Sequence, residues 1–240
     1  MSELTEDRFL NGRITVHQAT GGFRSGLDAV MLAAAVPADQ SGDVLELGAG
    51  AGAASLCLAA RVSSYRVTGI EIDAALAERA NANAHANGMD TRVRFVAADA
   101  FHLPQSFKHE YAHVFSNPPF HGEGMSPPDA GRKRALQDEG RLVDWLEAGA
   151  KRTVSNGTFT TIIRADRLGE ALAVLPPTGI IVFPLWPRAG EPAKRIVLQL
   201  RKGSGAPLAV LPGLVLHTAD GRFTPEADAV LRDGGSLALR

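Results

Sequence analysis

Cysteine is almost absent from this 240-residue chain: Cys57 is the single one. No intramolecular disulfide can form, and the fold is expected to work in a reducing compartment. Long apolar runs are missing too. The longest, Ala29 to Val36, falls far short of the roughly 20 residues that cross a bilayer as a helix. The first residues, Met1-Ser2-Glu3-Leu4-Thr5-Glu6-Asp7, are polar and acidic, unlike a secretory or transit leader. No membrane attachment is expected, and the expected location is cytoplasmic. An excess of charge of one sign is also lacking, since the formal net charge is −1. A phosphate-rich partner would have to be met by cations gathered locally.

What is present is an ordinary globular composition. Apolar residues make up 45% and charged residues 21%, which excludes a disordered or fibrous chain. The 25 glycines imply many tight turns or close backbone approaches. Strand and helix signals alternate from about residue 28, the pattern of an α/β protein with a mostly parallel sheet. Strands are expected over 43–47, 66–70, 93–97, 113–116, 158–164, 179–183, 195–201 and 214–217. Helices are expected over 29–36 (capped by Asp28), 53–60, 74–87 (capped by Asp73 and stopped by Gly88), 142–154, 166–175 (capped by Asp166) and 225–232. Asn156-Gly157 reads as the stop of the fourth of these helices. The stretch 122–140 has no periodicity and is long for an internal connection, which points to a functional loop. With no internal repeat and no clear linker, residues 1–240 read as a single domain.

The run Val44-Leu45-Glu46-Leu47-Gly48-Ala49-Gly50-Ala51-Gly52 joins a strand to a helix. Glycines there let a ligand approach the backbone, and Glu71 follows about 20 residues on to accept ribose hydroxyls. The pattern alone leaves NAD(P) and S-adenosylmethionine open. Glu46 at the strand end favours S-adenosylmethionine, because a carboxylate suits an ammonium and a sulfonium and repels a pyrophosphate. Glu71-Ile72-Asp73 offers the diol acceptor, and Asp99-Ala100 after the third strand offers an acceptor for the adenine amino group of the cofactor.

The second motif is Val114-Phe115-Ser116-Asn117-Pro118-Pro119-Phe120, at the carboxyl end of a strand, where open α/β sheets bind ligands. An exocyclic amine or a carboxamide is a poor nucleophile because its lone pair is delocalised. Two acceptors, the Asn117 side-chain oxygen and the Pro118 carbonyl, would draw that nitrogen towards tetrahedral geometry. Pro119 stiffens the turn, and Phe120 can stack on the substrate ring. His109-Glu110-Tyr111-Ala112-His113 matches a zinc-protease pattern, but Pro104 upstream and the following β-rich run leave little room for the helix such a site needs. No metal is expected. Arg132-Lys133-Arg134, Lys194-Arg195, Arg201-Lys202 and the amino-terminal Arg8, Arg13 and Arg24 could hold RNA phosphates if they converge on the mouth of the site.

Gly22-Phe23-Arg24-Ser25-Gly26-Leu27-Asp28, the run Glu46 to Gly52, Glu71-Ile72-Asp73, Ser116 to Phe120 and Pro192-Ala193-Lys194-Arg195 stand in one order. Together they resemble the bacterial tRNA(Val) adenine N6-methyltransferase family, over nearly the whole chain. The resemblance implies a Rossmann-like class I methyltransferase with a seven-stranded, mostly parallel sheet whose last strand is antiparallel, and S-adenosylmethionine as cofactor. It also implies an amino-terminal segment, residues 1–40, folded over the cofactor. Arg24 and Asp28 would then lie near the methionine end, with Glu46, Gly48 and Gly50 in the glycine loop. Glu71 and Ile72 would lie at the ribose, Asp99 and Ala100 at the adenine, and Asn117–Phe120 at the target base of a tRNA. His121 is shared with rRNA guanine N2-methyltransferases, so the motif by itself leaves adenine and guanine open; a protein glutamine is a third acceptor of the same chemistry. The short, single-domain length favours tRNA adenine. A nicotinamide-dependent oxidoreductase and a non-catalytic RNA-binding module are the readings from other classes.

Overall fold

A computed structural model describes residues 4–21, 24–38, 42–107, 111–119 and 142–239. The described chain opens with β1 (Leu4–Phe9) and β2 (Ile14–Ala19), then α1 (Leu27–Ala35). Alternation follows, through β3 (Gly42–Leu47), α2 (Ala53–Arg61), β4 (Tyr65–Glu71), α3 (Ala74–Ala86), β5 (Val93–Ala97) and β6 (Tyr111–Ser116). The second half holds α4 (Leu142–Arg152), β7 (Thr153–Arg164), α5 (Leu168–Val174), β8 (Ile180–Arg188) and β9 (Arg195–Arg201). It ends with β10 (Ala209–Val210), β11 (Leu214–His217) and α6 (Pro225–Leu231).

The principal sheet has the order β5-β4-β3-β6-β7-β9-β8, with β9 antiparallel to both neighbours and the other pairs parallel. Strand side chains alternate in direction, and here both directions are apolar. Val44 and Phe115 pack with α1, α2 and α3 on one face, while Leu45, Leu47 and Val114 pack with α4 and α5 on the other. The sheet is thus the middle of three layers.

The strand expected over 214–217 is β11, and with β10, which was not expected, it extends the β8 edge to make nine strands in this sheet among the described residues. They are two strands because of one proline. The carbonyl of Val182 accepts from the Leu211 N–H, so residue 184, two positions on, presents its backbone on the same side. Pro184 has no N–H to offer there. β10 accordingly stops opposite Val182 and β11 starts opposite Leu185.

The amino-terminal hairpin β1–β2 was not expected, although Asn11-Gly12 with positive φ at its turn is a hairpin signal. It docks on α3 through two carboxamides. Asn87 accepts from the Thr15 N–H (3.0 Å) and donates to the Thr15 carbonyl (2.7 Å); Asn83 does the same with His17 (2.9 and 3.2 Å). The match is geometric. Four residues of helix rise about 6 Å and two residues of strand about 6.7 Å, so each amide meets an outward-facing strand residue.

Three local expectations need correction. Gly26, not Asp28, is the amino-terminal cap of α1, and Asp28 lies in its first turn paired with Arg195. Asp166 does not cap α5; its carboxylate is taken by Arg164, and Arg167 stands at the cap position. Asn156-Gly157 does not separate a helix from a strand. β7 runs through it as a bulge, with Asn156 at φ +63°, and the pairing jumps from Tyr111/Thr153 to His113/Thr158. Asp73 does cap α3, accepting from the N–H groups of Ala75 and Leu76, and Gly88 ends it at φ +65°.

Gly149 tests how tightly the layers are packed. Alanine in a helix is better than glycine by about 0.5–1 kcal/mol, but a methyl group here would sit 2.1 Å from the Phe159 ring. Overpacking of that kind costs about 1–3 kcal/mol and should win. Gly149→Ala is expected to lower the melting temperature by several degrees. A rise would mean that α4 lifts off the sheet without cost.

Candidate active site

The strand register sets the site. Leu47 pairs with Ile70 and Ser116, Glu71 with Ala97, Ser116 with Thr161, and Arg164 with Arg195. Gly48, Ile72, Asp99 and Asn117 therefore leave adjacent strands at one edge of the sheet, about 4.8 Å apart from strand to strand. That edge is the carboxyl end of every parallel strand.

The glycine loop is built tightly. The N–H groups of Gly48 and Ala49 both donate to the Ile70 carbonyl, each at 2.9 Å. Gly48 (φ +74°) cannot take a side chain, because a methyl would lie 2.7 Å from the Trp145 ring. Gly50 (φ +56°) differs, since a methyl there would meet nothing within 4 Å. The loop is closed at its ends and open at its middle.

Two buried carboxylates brace it. Glu71 accepts from the Gly50 N–H at 2.8 Å through Oε2 and from the Asp73 N–H at 3.0 Å through Oε1. A carboxylate offers about four lone-pair directions, so each oxygen keeps one for another donor. Burial pushes the Glu71 carboxyl above its ordinary range, opposed by these backbone bonds. Glu46, only 2% exposed, accepts from the Ser55 N–H at 3.1 Å and bonds the Ser55 hydroxyl through the same Oε2. Burial is its largest influence and pushes its pKa up to about 8, with the Ser55 bonds pulling it down and the Glu71 charge adding to the rise.

Asp99 forms a tight turn after β5, accepting from the Phe101 N–H at 2.8 Å through Oδ1 and meeting His102 Nδ1 at 2.8 Å through Oδ2. Ala100 is buried beside it, whereas Ile72 is 56% exposed, unusual for so large an apolar side chain. Asn117 follows Ser116, whose hydroxyl donates to Thr161 Oγ1 on β7. The Asn117 Oδ1 atom is buried and receives no hydrogen bond from the described residues. Leaving such an acceptor dry and unpaired costs about 1–3 kcal/mol. Pro118 is buried and Pro119 half-buried; Phe120, the loop 122–140 and Arg132-Lys133-Arg134 lie outside the described residues.

The remaining candidates are dispersed. Asp28 reaches this edge through its 3.1 Å pair with Arg195. Arg24 is committed to Asp7 of the hairpin (2.6 and 2.9 Å), which holds the Asp7 carboxyl below its ordinary value. Arg8 pairs with Glu6, and Arg13 donates to the Leu10 and Arg232 carbonyls. Lys194-Arg195 and Arg201-Lys202 occupy opposite ends of β9, roughly 20 Å apart along the strand. Those two clusters cannot converge on one mouth. His113 of the zinc-like pattern is a strand residue, buried and bonded to Thr158 at 2.7 Å, so the pair of histidines does not share a helical face; His109 and Glu110 lie outside the described residues. Trp145, packed on Gly48 and edge-to-face with Phe101, escaped the sequence reading, as nothing in its spacing distinguishes it from a core residue.

The strand order, the glycine loop and the acidic strand ends define the class I methyltransferase fold. The chain matches the family model "Methyltransferase small domain" over residues 14–144, more than half of its length, and belongs to that family; it is an S-adenosylmethionine-dependent methyltransferase. It is similar, at 28% identity over 219 residues, to a protein from Yersinia enterocolitica named tRNA1(Val) (adenine(37)-N6)-methyltransferase, with 87% of this chain and 84% of that one covered. A protein of the same name from Serratia proteamaculans is 29% identical over 214 residues, covering 87% and 82%. Among solved structures, a predicted O-methyltransferase from Agrobacterium tumefaciens superposes with a TM-score of 0.73 at 27% identity, covering 88% of this chain and 98% of that one. The 16S rRNA N2 G1207 methyltransferase of Thermus thermophilus shares the fold, with a TM-score of 0.56 at 20% identity and coverage of 83% and 50%. No helix of the described residues is long and apolar enough to cross a membrane.

The Glu46 carboxyl makes stability depend on pH. Its unfolded value is near 4.5 and its folded value about 8, so the folded state keeps a proton that the unfolded chain releases. The contribution is complete below about pH 4.5 and is lost as pH rises through 8. Against Glu46→Gln, which does not titrate, the wild-type melting temperature should fall steadily between pH 5 and pH 8. A difference that stays constant would mean that the carboxyl is ionised throughout.

Proposed function

We propose that this enzyme transfers a methyl group to the exocyclic N6 amino group of an adenine in tRNA. The observation that carries the reading is the buried Oδ1 of Asn117, unbonded among the described residues, at the strand end beside the glycine loop. A buried acceptor without a donor is explained by a donor that arrives with the substrate. The tRNA adenine follows from relatives of that name, matched over most of their length.

The residues around the loop fit S-adenosylmethionine. The open face at Gly50 lets the cofactor approach the backbone, Glu71 has acceptor capacity left for a ribose diol, and the exposed Ile72 offers an apolar surface to a flat ring. Glu46 and Gly48 would flank the methionine portion, and Asp99 with Ala100 the adenine. Arg24 and Asp28 act from the amino-terminal segment. Thr15 and His17 climb α3 towards its amino-terminal end, which lies at the site edge. The described residues 24–26 lead into α1, whose first turn is tied to Arg195 at that edge. In this reading the chain is one methyltransferase domain, 1–240, with segment 1–40 passing over the cofactor, and it meets its tRNA in the cytoplasm.

Bound S-adenosylmethionine supplies an electrophilic methyl group and leaves as a neutral thioether. Asn117 Oδ1 and the Pro118 carbonyl accept the two N–H groups of the target amine. Its nitrogen turns towards tetrahedral geometry, and its lone pair points out of the base plane. The prolines, with no N–H of their own, leave those acceptors without a competing backbone donor. Phe120 stacks on the splayed-out base. The nitrogen–carbon bond forms with the N–H groups still held, and the resulting cation is acidic enough to lose its proton to solvent. No strong base is required.

The reading is tested by offering labelled methyl donor with fractionated tRNA, rRNA and protein. Label should enter tRNA and appear as N6-methyladenosine by mass spectrometry; label in rRNA guanine or protein glutamine instead would replace the substrate, and none in any fraction would sink the assignment. Asn117→Ala should lower turnover on tRNA by about 10²–10³-fold, with affinity for S-adenosylhomocysteine within about twofold of wild type by calorimetry. An equal loss in both would show that Asn117 maintains the loop rather than the amine.

A further inference from the structure

We propose that Asn83 is a positioning residue that couples the amino-terminal hairpin to the glycine loop, so that cofactor affinity depends on the docked hairpin. The inference rests on the reading that this loop holds S-adenosylmethionine. Asn83 is only 1% exposed, and its carboxamide is fully engaged with backbone. Oδ1 accepts from the His17 N–H at 2.9 Å, while Nδ2 donates to the His17 carbonyl at 3.2 Å and to the Ala51 carbonyl at 3.0 Å. Ala51 stands between Gly50, whose N–H is on Glu71, and Gly52, the cap of α2.

A carboxamide is planar, so the paired bonds to His17 fix the direction of its second N–H. That N–H lands on the glycine loop. If the hairpin lifts, Asn83 loses two of its bonds and its orientation, and the Ala51 carbonyl is no longer held from below. Asn87 makes the neighbouring staple to Thr15 but reaches only the hairpin and the Asn83 carbonyl. The two asparagines therefore separate docking of the hairpin from its connection to the loop. Coupling between sites is reciprocal: a cofactor that orders the loop must also protect the hairpin from opening, by the same factor.

Hydrogen exchange reads this directly, because the Thr15 and His17 amides are the ones bonded to the two asparagines. In the wild-type protein, S-adenosylhomocysteine should slow exchange at His17. Asn83→Ala should weaken S-adenosylhomocysteine binding by about tenfold and remove the effect of the ligand on hairpin exchange. Asn87→Ala should speed exchange at Thr15 yet bind the ligand within about threefold of wild type and still transmit protection to His17. Circular dichroism checks folding. Should Asn83→Ala fold poorly, Asn83→Asp keeps the acceptor for the His17 N–H, loses the donations to the His17 and Ala51 carbonyls, and is expected to give the same uncoupling. Equal ligand affinity in the Asn83 and Asn87 variants, or no change in hairpin exchange when ligand binds the wild type, would overturn the proposal. Failure of the wild-type protein to bind S-adenosylhomocysteine would instead remove the cofactor reading and the inference with it.

Discussion

The hydrogen bond from the Gly50 N–H to Glu71 Oε2 is the interaction on which the site depends. Gly48 and Ala49 are anchored on the Ile70 carbonyl, one residue earlier in the same strand, so the end of β4 holds the turn that follows β3. Glu71 also takes the Asp73 N–H, and Asp73 caps α3. One strand end thereby locates the loop before α2, the start of α3 and, through α3, the asparagines that carry the hairpin. Apolar burial holds these segments against the core, with Ile14 and Val16 of the hairpin fully buried. The polar bonds set their exact placement in a dry interior, where an unmade bond costs more than a made one gains.

That arrangement carries an electrostatic cost. Glu46 and Glu71 are both buried, and each is pushed towards its neutral form. Without a ligand, desolvation outweighs the hydrogen bonds from Ser55, and Glu46 holds its proton at neutral pH. A cation placed in the loop reverses the balance, because it favours the ionised carboxylate at short range. The site is therefore matched to a positively charged cofactor more than to a diphosphate. Under the proposed function, a cationic cofactor bound in the loop would offset part of that cost. The Cys57 thiol, pushed up to about 12 by the same burial, has no such partner and stays an inert core residue.

The parallel core was legible because its strands are buried on both faces and its helices carry cap and stop signals that act locally, as Asp73 and Gly88 do. The placement of the candidate residues was legible for a related reason: a strand end is a fixed place in this fold, so Glu46, Glu71, Asp99 and Asn117 had to meet at one edge once the strands were found. What escaped was set by tertiary partners. Asp28 and Asp166 have the identity of caps, but their carboxylates pair with Arg195 and Arg164 across the fold and along the chain instead of with helix N–H groups. Asn156-Gly157 has the composition of a stop, yet the Lys202 carbonyl 2.9 Å from the Asn156 N–H keeps it inside the sheet. The hairpin is short and polar on one side, and its docking depends on Asn83 and Asn87, whose partners lie some 66 and 72 residues away in sequence.

Charge along the site edge is divided, and Asn117 stands at the division. The ends of β3, β4 and β5 bring Glu46, Glu71, Asp73 and Asp99, while the ends of β7 and β9 bring Arg164, Lys194 and Arg195. The acidic half suits a cation. The basic half is weaker than its arginines suggest, since Arg164, Arg167, Arg188 and Arg195 are each paired with a carboxylate. The exposed pairs among these, Arg164–Asp166 and Arg188–Glu191, are worth little, at most about 1 kcal/mol, so a phosphate can exchange for the carboxylate there without large loss or large gain. The near-neutral balance of the whole chain is thus repeated locally, and the described edge has no strong grip on a polyanion. Under the proposed function, discrimination then comes from the base itself. The strand end has the matching chemistry: Asn117, Pro118 and Pro119 are uncharged, offer acceptors and no backbone donor from the prolines, and sit between the acidic and the basic half of the edge.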